Sequence, residues 1–185
     1  MKDVSILAIV GSLRTGSVNA ATARAAASSA AEGITVTVHS VVDVPLYNGD
    51  IEDHGLPESV VALHDAVEAS DGVLLFSPEY NGSFPAVTKN VIDWLSRPPK
   101  AWEGQPISLV VASPGGRAGQ SVRDHFSAIM DRQPVRLFET MGIGSYGGKL
   151  NERGELTDQE TVAELADFVT RFAQHCTTPA NPPAA

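Results

Sequence analysis

Short apolar runs alternate along the chain with longer stretches in which apolar residues recur at helical spacing. Residues 4–10 (VSILAIV) form a nearly continuous aliphatic and β-branched run, which predicts a strand buried on both faces. The alanine-rich stretch 20–31 has helix formers and no proline, and predicts the first helix. Residues 34–42 (ITVTVHSVV) predict a second strand, and 43–56, with Pro45, Asn48, Gly49 and Gly55, a long loop. Pro57 sits where a first helical turn tolerates it, and Val60, Val61, His64 and Val67 give a helical stripe closed by Asp71-Gly72.

The same alternation continues. A third strand is predicted over 73–77 and a helix from about 85 to 96, with Phe84, Val87, Val91, Trp94 and Leu95 on one side. Lys89, Asn90, Asp93 and Arg97 fall largely on the other side, and the Pro98-Pro99 pair ends the helix. Residues 107–112 predict the fourth strand, Val122, Phe126, Ile129 and Met130 mark the fourth helix, and 135–139 predict the fifth strand. The last helix is expected to open at Thr157, with Glu160 completing a capping box, and to run on Val162, Leu165, Ala166, Val169 and Phe172. Residues 177–185, with three prolines, are expected to be a disordered tail after a single domain spanning 1–176.

Five strands alternating with five helices imply an α/β fold: a doubly wound parallel sheet with helices on both faces and right-handed crossovers. The length suits strand order 2-1-3-4-5. In that order the loops after strands one, three and four lie side by side at the carboxyl edge, next to the switch point where ligands bind.

Those three loops carry the unusual residues. Gly11 to Asn19, read as GSLRTGSVN, joins the first strand to the first helix, and free N–H groups at a helix start favour an anion, most often a phosphate. Ser12, Ser17 and Asn19 add short side-chain donors, and Arg14 adds a fork suited to bidentate phosphate contact. The plain alternative is a connection with a capping serine. In the second loop Pro78, Glu79, Tyr80, Asn81 and Gly82 offer stacking surface and hydrogen-bonding groups, or else a tight turn whose tyrosine covers the core edge. Three glycines between Ser113 and Gly119 would let the main chain approach a flat ligand, or would simply make a flexible loop.

Composition narrows the class. Hydrophobic content of 43% and charged content of 19% are globular values, and the apolar runs are too short to span a bilayer. The first residues lack a secretory pattern, so a cytoplasmic location is expected. Cys176 is the single cysteine and reads as an inert structural thiol. A net charge of −9 argues against nucleic acid or an acidic membrane surface as partner, and means that Arg14 would hold a phosphate against the chain's long-range field.

Competing motifs fail on spacing. Gly11 and Gly16 have Walker A spacing, but Ser17-Val18 stand where the Lys-Ser/Thr pair should be. Gly142, Gly144 and Gly147 match GxGxxG with no helix opening behind them, and no serine sits in a GxSxG elbow. The five histidines have no metal-ligand spacing and are expected at the surface or at edges.

GSLRTGSVN, the long SPEYNGSFPAVTKNVIDWLSR from Ser77 to Arg97, and ASPGGRAG from Ala112 together resemble the NADPH-dependent FMN reductase family of flavodoxin-like proteins, over about residues 4 to 172. That family includes quinone, chromate and azo-dye reductases. The resemblance implies that Ser12, Arg14, Ser17, Val18 and Asn19 hold the FMN phosphate and that Pro78, Glu79, Tyr80 and Asn81 flank the isoalloxazine. Ser113, Gly115 and Gly116 would line the ring's other edge. Two departures stand out: Thr88-Lys89-Asn90 replaces the usual Leu-Lys-Asn, and Gln120 follows Gly119 where a second glycine is usual.

The expected function is therefore an FMN-dependent oxidoreductase that takes electrons from NADPH or NADH and passes them to a small acceptor: free flavin, quinone, azo dye or chromate. The flavin carries the chemistry, so no side-chain acid or base is named, and no metal. A homodimer or homotetramer is implied by the resemblance, with the segment from Phe84 to Trp94 as the expected contact. The alternatives are a flavodoxin-type electron carrier, against which Arg14 in the phosphate loop stands, and a cofactor-free partner-binding domain.

Overall fold

The apolar runs fold into a parallel sheet; the computed structural model describes residues 3–179. β1 (Val4–Val10) lies between β2 (Ile34–His39) and β3 (Gly72–Phe76), and β4 (Pro106–Ala112) follows β3. The outer edge of β4 carries two short strands in succession, β5 (Arg136–Leu137) and β6 (Met141–Ile143). The order 2-1-3-4-5 is the expected one, and every pairing is parallel. This is the flavodoxin-like arrangement.

Alternate strand residues point to opposite faces, so the sheet builds two cores. One face packs Ile6, Ala8, Leu74, Phe76 and Val110 under α1 (Val18–Ser29) and α6 (Gln159–Thr177). The other packs Leu7, Ile9, Val73, Leu75 and Leu109 under α3 (Glu58–Glu68), α4 (Ala86–Leu95) and α5 (Gln120–Met130). The stripe of α4 is absorbed here: Val91, Ile92, Trp94 and Leu95 are all buried. Val61, by contrast, faces out, and Leu63 takes its place beside Val60, His64 and Val67. His64 is thus a buried residue rather than the surface or edge one expected, with Nε2 3.3 Å from the Trp94 carbonyl.

Several local expectations are corrected. β2 stops at His39 because the chain turns there, sending Val41 into the core and leaving Val42 exposed. The long loop contains a single helical turn, α2 (Gly49–Glu52), capped by Asn48, whose Oδ1 accepts the Asp50 N–H at 2.9 Å. It is stapled to α4 by Asn90, which is buried: Oδ1 accepts the Tyr47 N–H at 2.7 Å and Nδ2 donates to the Pro45 carbonyl at 2.8 Å. The cap of α6 is Asp158, one residue later than Thr157, with Oδ1 accepting the Thr161 N–H at 3.1 Å. Thr177 is the last residue of α6, and positions 180–185 of the expected tail lie outside the described residues.

The fifth strand is broken by a bulge. Between Ile107↔Leu137 and Val110↔Met141 β4 advances three residues and its partner four, so one residue is extra. The interruption has a cause on each side: the Ser108 hydroxyl donates to the Glu139 carbonyl, and the Phe138 ring turns onto Phe168 and Phe172 of α6, at centroid distances of 5.7 and 5.6 Å.

Candidate functional site

The loop after β1 runs into α1 through Ser17. Ser17 caps the helix: its Oγ accepts the Ala20 N–H at 3.2 Å, while its own N–H donates to the Arg14 carbonyl. Of the four N–H groups that a helix start leaves without internal partners, those of Val18 and Asn19 are the two that no such bond satisfies among the described residues. They open, with the positive end of the helix dipole, onto a cleft of about 180 Å³ lined by Ser12, Arg14, Ser17, Val18 and Asn19. The Arg14 side chain is exposed and has no hydrogen-bond or ion-pair partner among the described residues.

Asn19 has a different role from the one its hydrogen-bonding capacity implies. Its amide is occupied by the main chain of Ala112 at the end of β4, with Nδ2 donating to the carbonyl at 3.1 Å and Oδ1 accepting the N–H at 2.9 Å. What it has left to offer an anion is its backbone N–H.

The opposite wall comes from the loop after β3. Pro78, Glu79 and Tyr80 line the same cleft. The chain then reverses in a tight turn: Tyr80 and Ser83 exchange both backbone hydrogen bonds, at 2.9 and 3.0 Å, and Asn81 and Gly82 take φ of 52° and 74°. Positive φ at both corners defines a type I′ turn, for which Asn-Gly is the favoured pair. Asn81 therefore stands at the exposed tip and does not line the cleft. Tyr80 is 44% exposed, which favours the cleft-wall reading over the core-edge one. Glu79 reaches sideways, its Oε2 accepting the Val122 N–H at 3.1 Å, and so serves the first turn of α5, whose own cap residue Gly119 has no side chain to do so.

The third loop contributes less than expected. Pro114 and Ala112 line the cleft, whereas Ser113, Gly115 and Gly116 do not. Ser113 is engaged by its neighbours: its N–H donates to the Ile143 carbonyl at 2.9 Å and its Oγ accepts the Gly115 N–H at 3.4 Å. The Gly115 carbonyl is taken by the Ala118 N–H at 3.1 Å. Gln120, the second departure noted above, points away along α5 and donates to Asp124 at 2.7 Å.

One cleft residue escaped the sequence reading. Tyr146 lies beyond β6, in the run GIGSYGG, and reaches the cleft because the preceding glycines let this strand press on the third loop. A Cβ on Gly142 would collide with the Ala118 carbonyl. The signal in the sequence is Gly142 and Gly144 of the GxGxxG match: they mark a close approach that carries a tyrosine into the site.

The comparisons with known proteins agree with this geometry. The sequence profile of the NADPH-dependent FMN reductase family matches residues 4–140, from β1 to the bulge. The chain is 37% identical over 175 residues to a quinone reductase of Pseudomonas putida, covering 91% of this chain and 92% of that protein. It is 40% identical over 176 residues to a probable NADPH:quinone oxidoreductase of Oryza sativa, covering 91% of this chain and 86% of that one. Among solved structures, the flavoenzyme NAD(P)H:(acceptor) oxidoreductase FerB of Paracoccus denitrificans superposes with a TM-score of 0.81 at 29% identity, over 94% of this chain and 97% of its own. With the cleft at the switch point of its sheet, the chain belongs to the NADPH-dependent FMN reductase family, a group of oxidoreductases that use FMN and NAD(P)H.

Proposed function

We propose that this chain is a quinone-type reductase in which FMN binds across the cleft, its phosphate at the start of α1 and its ring against Pro78, Glu79 and Tyr80. The observation that carries the reading is that two loops bring different chemistry to one cleft. The loop after β1 brings two helix N–H groups, two serines and an unpaired arginine; the loop after β3 brings a proline and a half-exposed tyrosine. When bound, FMN supplies the hydride and electron chemistry. Arg14, Ser12, Ser17 and the N–H groups of Val18 and Asn19 neutralise and orient the phosphate. Tyr80 and Pro78 cover the ring, and main-chain groups near Tyr80 favour negative charge beside it.

The rest of the reading follows from access. The open side of the cleft lets the nicotinamide and the acceptor use one ring face in turn, which gives ping-pong kinetics. A quinone is the acceptor that the similarity to quinone reductases supports; free flavin, chromate and azo dyes are alternatives at the same face. A cytoplasmic homodimer or homotetramer belongs to the same reading. The support for the oligomer is the exposure of Leu13 and Tyr80, 56% and 44%, on the first and second loops. Val91, Trp94 and Leu95 of the α4 stripe are buried in their own chain, which leaves the half-buried Phe84 and Val87 as its part of the contact.

The experiment is spectral and kinetic. Purified protein should be yellow and release FMN on denaturation, and should oxidise NADPH with a benzoquinone faster than with chromate or an azo dye. Absence of flavin, or turnover indifferent to quinone, overturns the assignment. Sedimentation of a monomer that retains FMN and full turnover overturns the oligomer.

A further inference from the structure

Thr88 lies in the first turn of α4, outside the cleft and 1% exposed, yet it touches both loops that form the cleft's two ends. Its Oγ1 is 2.8 Å from the Ser77 hydroxyl at the root of the second loop, and 3.4 Å from the Gly11 carbonyl at the root of the first. Ser77 Oγ in turn donates to the Pro78 carbonyl at 3.0 Å. Two hydroxyl protons fill two of these three contacts at a time. With Ser77 donating to Pro78, the Thr88 proton goes to Ser77 Oγ or to the Gly11 carbonyl, and the arrangement reaches from Gly11 to Pro78 through the side chains of Thr88 and Ser77. Sterics reinforce it. A Cβ on Gly11 would collide with Thr88 Oγ1, so the first loop sits directly on this hydroxyl.

A leucine at this position would offer the loops only apolar contact. A threonine ties them together by hydrogen bonds in a dry site, where leaving such groups unpaired is costly. We propose that Thr88 is a positioning residue that sets the spacing between the phosphate end and the ring end of the cleft. The inference rests on the FMN reading above. A ligand gripped at both ends senses that spacing; a ligand held at one end does not.

The test compares FMN with riboflavin, which lacks the phosphate, by fluorescence titration of the full chain. Thr88→Val keeps the shape and removes the hydroxyl. Its dissociation constant for FMN should rise about tenfold, the equivalent of one ordinary hydrogen bond. Riboflavin affinity should stay within about twofold, and Thr88→Ser, which restores the hydroxyl, should bring FMN back to within about threefold of wild type. Unchanged FMN affinity in Thr88→Val overturns the inference, as does an equal loss for FMN and riboflavin, which would place Thr88 in general support of the fold. If Thr88→Val does not fold, Ser77→Ala decides by the same criterion: an FMN-selective loss supports the spacing role and an unchanged affinity removes it. Wild-type protein that binds no FMN would instead defeat the functional reading itself.

Discussion

The side-chain amide of Asn19 closes a two-bond clamp on the backbone of Ala112, donating to its carbonyl at 3.1 Å and accepting its N–H at 2.9 Å. The clamp joins the first turn of α1 to the last residue of β4, so the α1 side of the cleft and the wall beside it move as one piece. It also fills hydrogen-bonding positions at the sheet's end that no further strand residue could fill.

Asn19→Ala should therefore act on stability. It leaves a buried N–H and a buried carbonyl without partners, at about 1–3 kcal/mol for each orphaned group. Urea unfolding of the flavin-free chain should show the midpoint falling with little change in slope. An unaltered midpoint, with FMN affinity alone reduced, would return Asn19 to the role of a direct phosphate ligand.

Arg14→Ala should do the opposite. The side chain is exposed and unpaired among the described residues, so flavin-free stability should stay within about 0.5 kcal/mol. Loss of a charge-assisted hydrogen bond to phosphate, worth about 1.5–3 kcal/mol, should weaken FMN by about 10- to 150-fold. Riboflavin should bind both proteins equally. Equal weakening of both flavins would show that Arg14 does not meet the phosphate.

Both residues stand out in the sequence, but the clamp that Asn19 makes does not. Local patterning exposes what local physics decides: β1 and β4 as buried runs, the Ser17 cap, and the Asn81-Gly82 turn. The use of an amide depends on what lies across the fold, and Ala112 is far from Asn19 in the chain. The same limit hid Tyr146, which depends on the bulge between Leu137 and Met141, and that bulge depends on Phe138 finding α6. Thr88 was noticed as a departure from the family pattern, with an apolar contact in question. Its actual contacts, Ser77 and Gly11, come from two other elements and supply a polar contact in place of the apolar one.

The pH dependence of stability has an identifiable contributor in Asp158. Hydrogen bonds from the Thr161 hydroxyl and N–H hold its carboxyl below the ordinary value, and Lys149 adds to the effect. A carboxyl with a depressed folded value protonates first in the unfolded chain. Its contribution is complete above the unfolded value of about 3.9 and is lost as pH falls through the lower folded one. Asp158→Asn keeps an acceptor for Thr161 but removes the titration, so the fall in urea midpoint between neutral and strongly acid pH should be shallower than in wild type. Parallel curves for the two proteins would exclude Asp158 as a contributor.

Tyr80 separates cofactor binding from folding most directly. Its backbone is fixed by the reciprocal bonds with Ser83, while its ring is 44% exposed at the wall of the cleft. A large aromatic truncated in a core costs about 3–5 kcal/mol, but a ring in this position has no core to lose. Tyr80→Ala should leave the melting temperature of the flavin-free protein nearly unchanged. With FMN present, loss of a stacking contact worth about 0.5–1.5 kcal/mol should weaken binding by about 2- to 12-fold. Fluorescence of the bound flavin should rise as a quenching ring is removed. Tyr80→Phe keeps the aromatic face, so FMN affinity should stay within about twofold, and any remaining change in turnover then reports on the hydroxyl. A large drop in flavin-free melting temperature with unaltered FMN affinity would mean that Tyr80 supports the hairpin rather than the ring, leaving Pro78 and the backbone of that loop as its contacts with the cofactor.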